Sequence, residues 1–177
     1  MSSWLRLVLN QLFQIFQELK MQLKETKGNQ KKEMELTNQI FQAYSKFCYD
    51  SAKVYLDRTK DIVCKMNDDS LRIAMDMQMA FYYSSAGSFV EALNIVSQID
   101  EAQVPTGLLP SYYDTMRAVY VEVGNSLQKQ DLRQSYLKKS GDYRMKLMQV
   151  CDSSSLNIIK LLENRARYEQ DFEKALQ

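Results

Sequence analysis

Residues 80–93, AFYYSSAGSFVEAL, place small, aromatic and glycine residues at the spacing of one helix-turn-helix unit. Working outward, a five-residue word on the same slot recurs as YDSAK from Tyr49, FVEAL from Phe89, LRQSY from Leu132 and FEKAL from Phe172. The steps are 40, 43 and 40 residues. Self-similarity at that period predicts a helical solenoid, in which each helix pair buries its apolar side against the next pair.

Composition agrees with this reading. Five glycines and two prolines in 177 residues argue against turn-rich β architecture, while the helix formers Leu, Met, Gln, Lys, Glu and Ala abound. The length fits one domain, and 45% apolar content supplies a continuous core. A net charge of +1 provides no global attraction for nucleic acid or an anionic membrane. With no histidine, Ser-His-Asp, Cys-His and His-ligated metal arrangements are excluded. Cys48, Cys64 and Cys151 are far apart and odd in number, and suggest neither a zinc site nor a disulfide framework. No metal or other cofactor is expected.

The periodicity divides the chain into an N-terminal amphipathic helix with a polar linker, 1–30, and a repeat domain, 31–177. Leu5, Leu9, Leu12, Phe16, Leu19 and Leu23 return every three or four positions. Polar residues interrupt this segment too often for a membrane span of roughly 20 apolar residues, and no cleavage site follows it. The polar KETKGNQKKE after it reads as a solvated connector, since no aromatics interleave its lysines for base stacking.

Repeats are expected at about 33–66, 70–100, 110–150 and 153–177, three full pairs and a fourth that stops in mid-unit. Asn67 to Ser70 supplies turn and cap chemistry, Gly87 ends the first helix of repeat two, and Ser88 is placed to cap its return helix. The segment 101–110, EAQVPTGLLP, reads as a loop, and Pro110 suits the first turn of a helix.

The segment from Ile73 to Val104 resembles a tetratricopeptide repeat (TPR). Ala80 stands in the small slot of the first helix, Tyr83 in the aromatic slot, Gly87 at the turn, Phe89 at the opening of the second helix and Ala92 at its close-packing position. Asp76 departs from the pattern, where a large apolar residue is usual, and the closing proline is displaced to Pro105. The resemblance implies an all-α, right-handed solenoid of antiparallel helix pairs, with Ala80, Tyr83, Phe89 and Ala92 in its core.

A more particular similarity covers about Asn38 to Val150. The strings NQIFQAYSKFCYDSAKVYL and AFYYSSAGSFVEALNIV, the aromatic helix from Tyr112, and Tyr136-x6-Tyr143-Arg144 together resemble the sensory region of bacterial membrane-bound regulators. In those proteins, TPR-like repeats outside the membrane precede a transmembrane helix and a cytoplasmic helix-turn-helix output. This chain resembles the repeat region alone, as a fragment or a shortened relative. It is expected to be soluble as given, cytoplasmic if complete and periplasmic if a piece of such a regulator.

First helices of such pairs line the concave face. The residues expected there are Ala74, Met77, Phe81, Ser84 and Ser85 of repeat two, Phe41, Tyr44 and Ser45 of repeat one, and Arg117 and Tyr120 of repeat three. Phe41, Tyr44, Met77, Phe81, Ser84 and Tyr120 are the candidate binding residues, mixing aromatic anchors, Met and small hydroxyls as a peptide-docking row would. The alternative for each is that it fills the space between adjacent pairs. The expected function is a non-catalytic domain that binds a protein or peptide, as the sensory or regulatory module of a bacterial signalling or transcription regulator. The runner-up is a free-standing adaptor that self-associates as a homodimer through an uncapped repeat end. Nucleic-acid binding through Lys20 to Lys32 and catalysis by Glu33 and Glu35 or Asp68 and Asp69 rank below both. The first has no stacking aromatics, and the second uses neighbours that face apart on a helix or already serve a turn.

Overall fold

In the computed structural model, residues 3–26, 28–45 and 48–151 are described. They form seven α-helices, and no strand occurs among them. The helices are α1 (Ser3–Glu25), α2 (Gln30–Tyr44), α3 (Tyr49–Met66), α4 (Asp69–Ser85), α5 (Phe89–Gln98), α6 (Leu109–Ser126) and α7 (Gln130–Val150). The chain divides into two compact units, the first ending at Tyr82 and the second beginning at Tyr83, inside α4. The expected fourth repeat lies outside the described residues.

Local chemistry sets the helix boundaries. The connector after α1 is shorter than the expected linker, because the Asn29 side chain accepts a hydrogen bond from the Lys32 amide and starts α2 at Gln30. Asn67 ends α3 in the left-handed region at φ 51°, and the Asp68 carboxylate accepts from the Leu71 amide at 3.0 Å to start α4. Gly87, at φ +80°, closes α4 with a paired turn. Its amide donates to the Ser84 carbonyl, and the Ser88 amide donates to Tyr83. Ser88 stands at the N-cap of α5 as expected, but its side chain makes no capping hydrogen bond, its backbone lying at φ -82°, ψ 67°, outside the extended region usual for that position. Residues 101–110 contain two 3-10 turns, Glu101–Gln103 and Thr106–Leu108, and Pro110 sits in the first turn of α6 as expected.

In the first unit α1 lies against α2. Leu23 of α1 shares a core with Leu36 and Ile40 of α2, and Leu19, Tyr44 and Tyr55 pack around it. Phe16 of α1 meets Tyr44 at 4.3 Å between ring centroids, and Tyr44 stacks on Tyr55 of α3 at 5.7 Å. The amphipathic helix therefore folds back on the first helix pair. On α4, Gln78 donates to Asn38 at 2.7 Å, and Tyr82 meets Phe41 edge-on while its hydroxyl donates to the Tyr49 carbonyl. The first helix of repeat two thus packs on the helices of repeat one.

In the second unit α6 and α7 form an antiparallel pair. A Cβ at Gly124 would lie 3.0 Å from Leu137 Cδ2 and 3.4 Å from the Leu137 backbone nitrogen, so the missing side chain permits this close approach. One step along, the Ser140 hydroxyl donates to the Arg117 carbonyl at 2.9 Å. Ala80 and Ala92 are fully buried as expected, whereas Tyr83 and Phe89 are only partly buried.

Asp76 is half-buried, and burial raises its carboxyl above the usual range, with Lys60 and Arg72 pulling the other way. A charged group in a slot that usually holds an apolar one opposes folding at neutral pH.

Gly87→Ala should lower the free energy of unfolding by about 1 kcal/mol, because open space surrounds the site but a Cβ strains the left-handed backbone. Urea denaturation followed by helical circular dichroism measures this. An unchanged midpoint would show that the turn tolerates another geometry.

Candidate functional site

The candidate row separates into packed and presented members. Phe41, Met77 and Ser84 are 6%, 5% and 2% exposed. Tyr44 is partly buried between Phe16 and Tyr55, and its hydroxyl accepts from the Lys20 ammonium at 2.8 Å. Tyr120 is partly buried too, stacked on Tyr143 at 5.7 Å and tilted against Tyr136. Phe81, on α4, is 52% exposed and presents the most aromatic surface of the six.

The second unit holds an arrangement the sequence reading did not single out. Tyr113 and Tyr120 are seven residues apart on α6, and Tyr136 and Tyr143 are seven apart on α7, so both pairs recur on one helix face. Two lysines three residues further along α7 top them. Lys139 lies 5.5 and 5.4 Å from the ring centroids of Tyr120 and Tyr136, and Lys146 lies 5.7 and 5.3 Å from those of Tyr113 and Tyr143. Each ammonium thus sits over one tyrosine from each helix, a cation–π geometry worth about 0.5–1 kcal/mol where solvent reaches it. The repeated Tyr-x-x-Lys at 136–139 and 143–146 was the available signal, and it is legible only once α7 is known to face α6.

Glu101, in the first 3-10 turn, ties the lower tier together. Its carboxylate accepts from Lys146 Nζ at 2.7 and 2.9 Å and from the Tyr113 hydroxyl at 2.9 Å. The Lys146 hydrogen bond holds the Glu101 carboxyl below its usual range, despite some desolvation. The same bond raises Lys146. Burial, followed by the bond to Glu101, raises Tyr113, and burial chiefly raises Tyr112 well beyond the ordinary tyrosine range. These tyrosines therefore stay neutral at physiological pH and act as packing surfaces and hydrogen-bond donors.

Among the described residues, no group of three or more His, Cys, Asp or Glu could hold a metal ion. No described helix is long and apolar enough to cross a membrane.

Antiparallel helix pairs without a strand among the described residues, and a glycine turn between the two helices of the second pair, define an all-α TPR-like repeat protein. The chain belongs to the SusR N-terminal TPR domain family, whose profile matches residues 10–177. No curated protein and no solved structure gives a significant match. Its membership makes it a protein–protein interaction repeat module, and TPR-type domains are generally non-catalytic.

Titration offers a test of the Glu101 brace. Glu101 has a lowered folded pKa, so its contribution is present above the unfolded value and is lost as pH falls through the folded one. Lys146 has a raised folded pKa, so its share is lost only as pH rises through that value. The stability gap between wild type and Glu101→Gln should therefore be flat over ~pH 6 to 9 and close on acidification below the carboxylate range. With both side chains over a third exposed, the gap should stay below about 1 kcal/mol. Urea midpoints measured across pH decide this, and a gap that persists in acid would assign the effect to shape instead of charge.

Proposed function

We propose that the chain is the sensory or regulatory module of a bacterial signalling or transcription regulator, and that its repeat domain, 31–177, works by binding a protein segment without catalysis. The observation that carries this reading is Phe81: a large aromatic side chain, 52% exposed, on the first helix of the best-formed repeat. Aromatic anchors of this kind dominate peptide recognition, since they bury much apolar area at little conformational cost. Met77 and Ser84 lie in the same helix row of α4, and Phe41 and Tyr44 on α2 and Tyr120 on α6 complete the proposed set. The regulatory part rests on the resemblance from Asn38 to Val150 and on the family's description, which names a TPR domain at the N-terminus of SusR.

Selection of a displayed random-peptide library against the purified chain tests the reading. Enriched peptides should bind saturably in solution, and Phe81→Ala should weaken them about ten-fold or more while Glu91→Ala leaves them unchanged. Peptides that bind Phe81→Ala as tightly as wild type would overturn the assignment of this face.

Self-association is the second reading, and a strip on α7 favours it. Gly141, Met145 and Met148 recur at i, i+4 and i+7, about a third of a turn round from the buried Leu147 and Ser140, with the two methionines 56% and 40% exposed. Light scattering over a range of concentrations should then show mass rising from one chain towards two, and Met145→Glu should return it to one. A constant single-chain mass removes this reading.

A further inference from the structure

Where α1 folds back, it leaves a cleft of about 290 Å³ between its last turns and α3, and the side chains that converge there carry one sign of charge. Lys20 and Lys24 enter from α1 and Arg58 from α3, with Gln17 beside them and Tyr55 and Met21 lining the remainder. Among the described residues, no acidic side chain lines the cleft. Like charges brought together in a partly enclosed space raise the local potential for an anion, and low-dielectric walls focus it.

The three cations differ in what already holds them. Lys20 donates to the Tyr44 hydroxyl, a neutral partner that fixes the ammonium without cancelling its charge. Arg58 pairs with Glu33 through Nη2 at 2.6 Å, which engages one nitrogen of a guanidinium that has five N–H donors. Lys24 makes no ion pair among the described residues. After Glu33 is counted, two positive charges remain uncompensated at the mouth of a cleft that has room for a small molecule and an aromatic wall to lie against.

We infer that this cleft is a binding site for a small soluble dianion, a phosphate monoester or a dicarboxylate, held by Lys24 and Arg58 and oriented by Lys20 and Gln17. Arg58 supplies planar, two-point recognition of a carboxylate or phosphate edge, and the lysines act as point charges. The ligand's uncharged part rests on Tyr55 and Met21. Because α1 contributes most of the wall and α3 the rest, occupancy fastens α1 to α3, so a small anion stabilises the folded-back state of the N-terminal helix. This site is independent of the Phe81 surface on α4.

Phenyl phosphate and glutarate are the probes, titrated into the full chain while amide signals are followed by NMR. A saturable shift of residues 17–24 and 55–58 at millimolar or lower concentration is expected with at least one, and the stronger of the two identifies the headgroup. Lys24→Gln breaks no ion pair and should weaken binding about five-fold, and Lys24→Gln with Arg58→Gln should weaken it at least fifty-fold, while Lys139→Gln in the second unit changes nothing. Helical circular dichroism of each variant, unchanged from wild type, confirms that folding is retained. The inference is overturned if neither probe gives a saturable shift, if the double variant binds as wild type does, or if only phosphatidylserine vesicles and neither free probe engage these residues.

Discussion

A pair of helices is too thin to enclose a core, and that constraint organises the molecule. In the first unit the apolar residues with no solvent exposure come from separate helices, Ile40 from α2, Ala52 and Leu56 from α3 and Ala80 from α4. None of these elements could bury its apolar stripe alone, so each depends on the next one in sequence. The same logic makes small residues as informative as large ones. Ala52 and Ala80 are wholly buried despite their size, and Gly124 lets α6 and α7 close to a distance at which even a methyl group meets Leu137.

An array built this way has an exposed first face, and α1 answers that problem in the first unit. Its Leu23 enters the core of α2, and Phe16 continues an aromatic stack through Tyr44 to Tyr55. The helix covers apolar surface with one side and carries Lys20 and Lys24 towards Arg58 with another. Covering the array and creating a cationic cleft are therefore two results of one packing event. A helix read from sequence by its apolar stripe alone becomes, once docked, part of a polar surface.

Periodicity made the fold legible, because helix pairs repeat a local pattern and each helix end carries its own chemistry. Gly87 and Asp68 act through bonds to residues within a few positions and Pro110 through its fixed backbone angle, all of which a sequence displays directly. The candidate row was less legible for a related reason. Residues at i, i+3 and i+7 share a helix face, but whether that face meets solvent or a neighbouring helix depends on tertiary packing. Phe41 is consumed by Tyr82, Met77 and Ser84 are buried, and Phe81 emerges. The tyrosine and lysine tiers of α6 and α7 lay wholly beyond the local pattern, since each lysine needs rings from two helices.

Asp76 shows how these levels conflict. TPR-like packing asks for an apolar residue there, and burial raises the carboxyl as desolvation of a charge must. Natural sequences break a local rule mostly where something else depends on it. Here the charge lies between Lys60 of α3 and Arg72 of α4, which both favour the ionised form. Those two cations recover only part of the desolvation cost, so the joint between repeats one and two is held less firmly than an apolar residue would hold it. The same helix carries Phe81 beyond Asp76, and tightening α4 against α3 lowers the cost of keeping that carboxylate buried only where it also brings Lys60 and Arg72 closer. The ionisation of Asp76 and the packing of α4 on α3 are thereby linked through one helix.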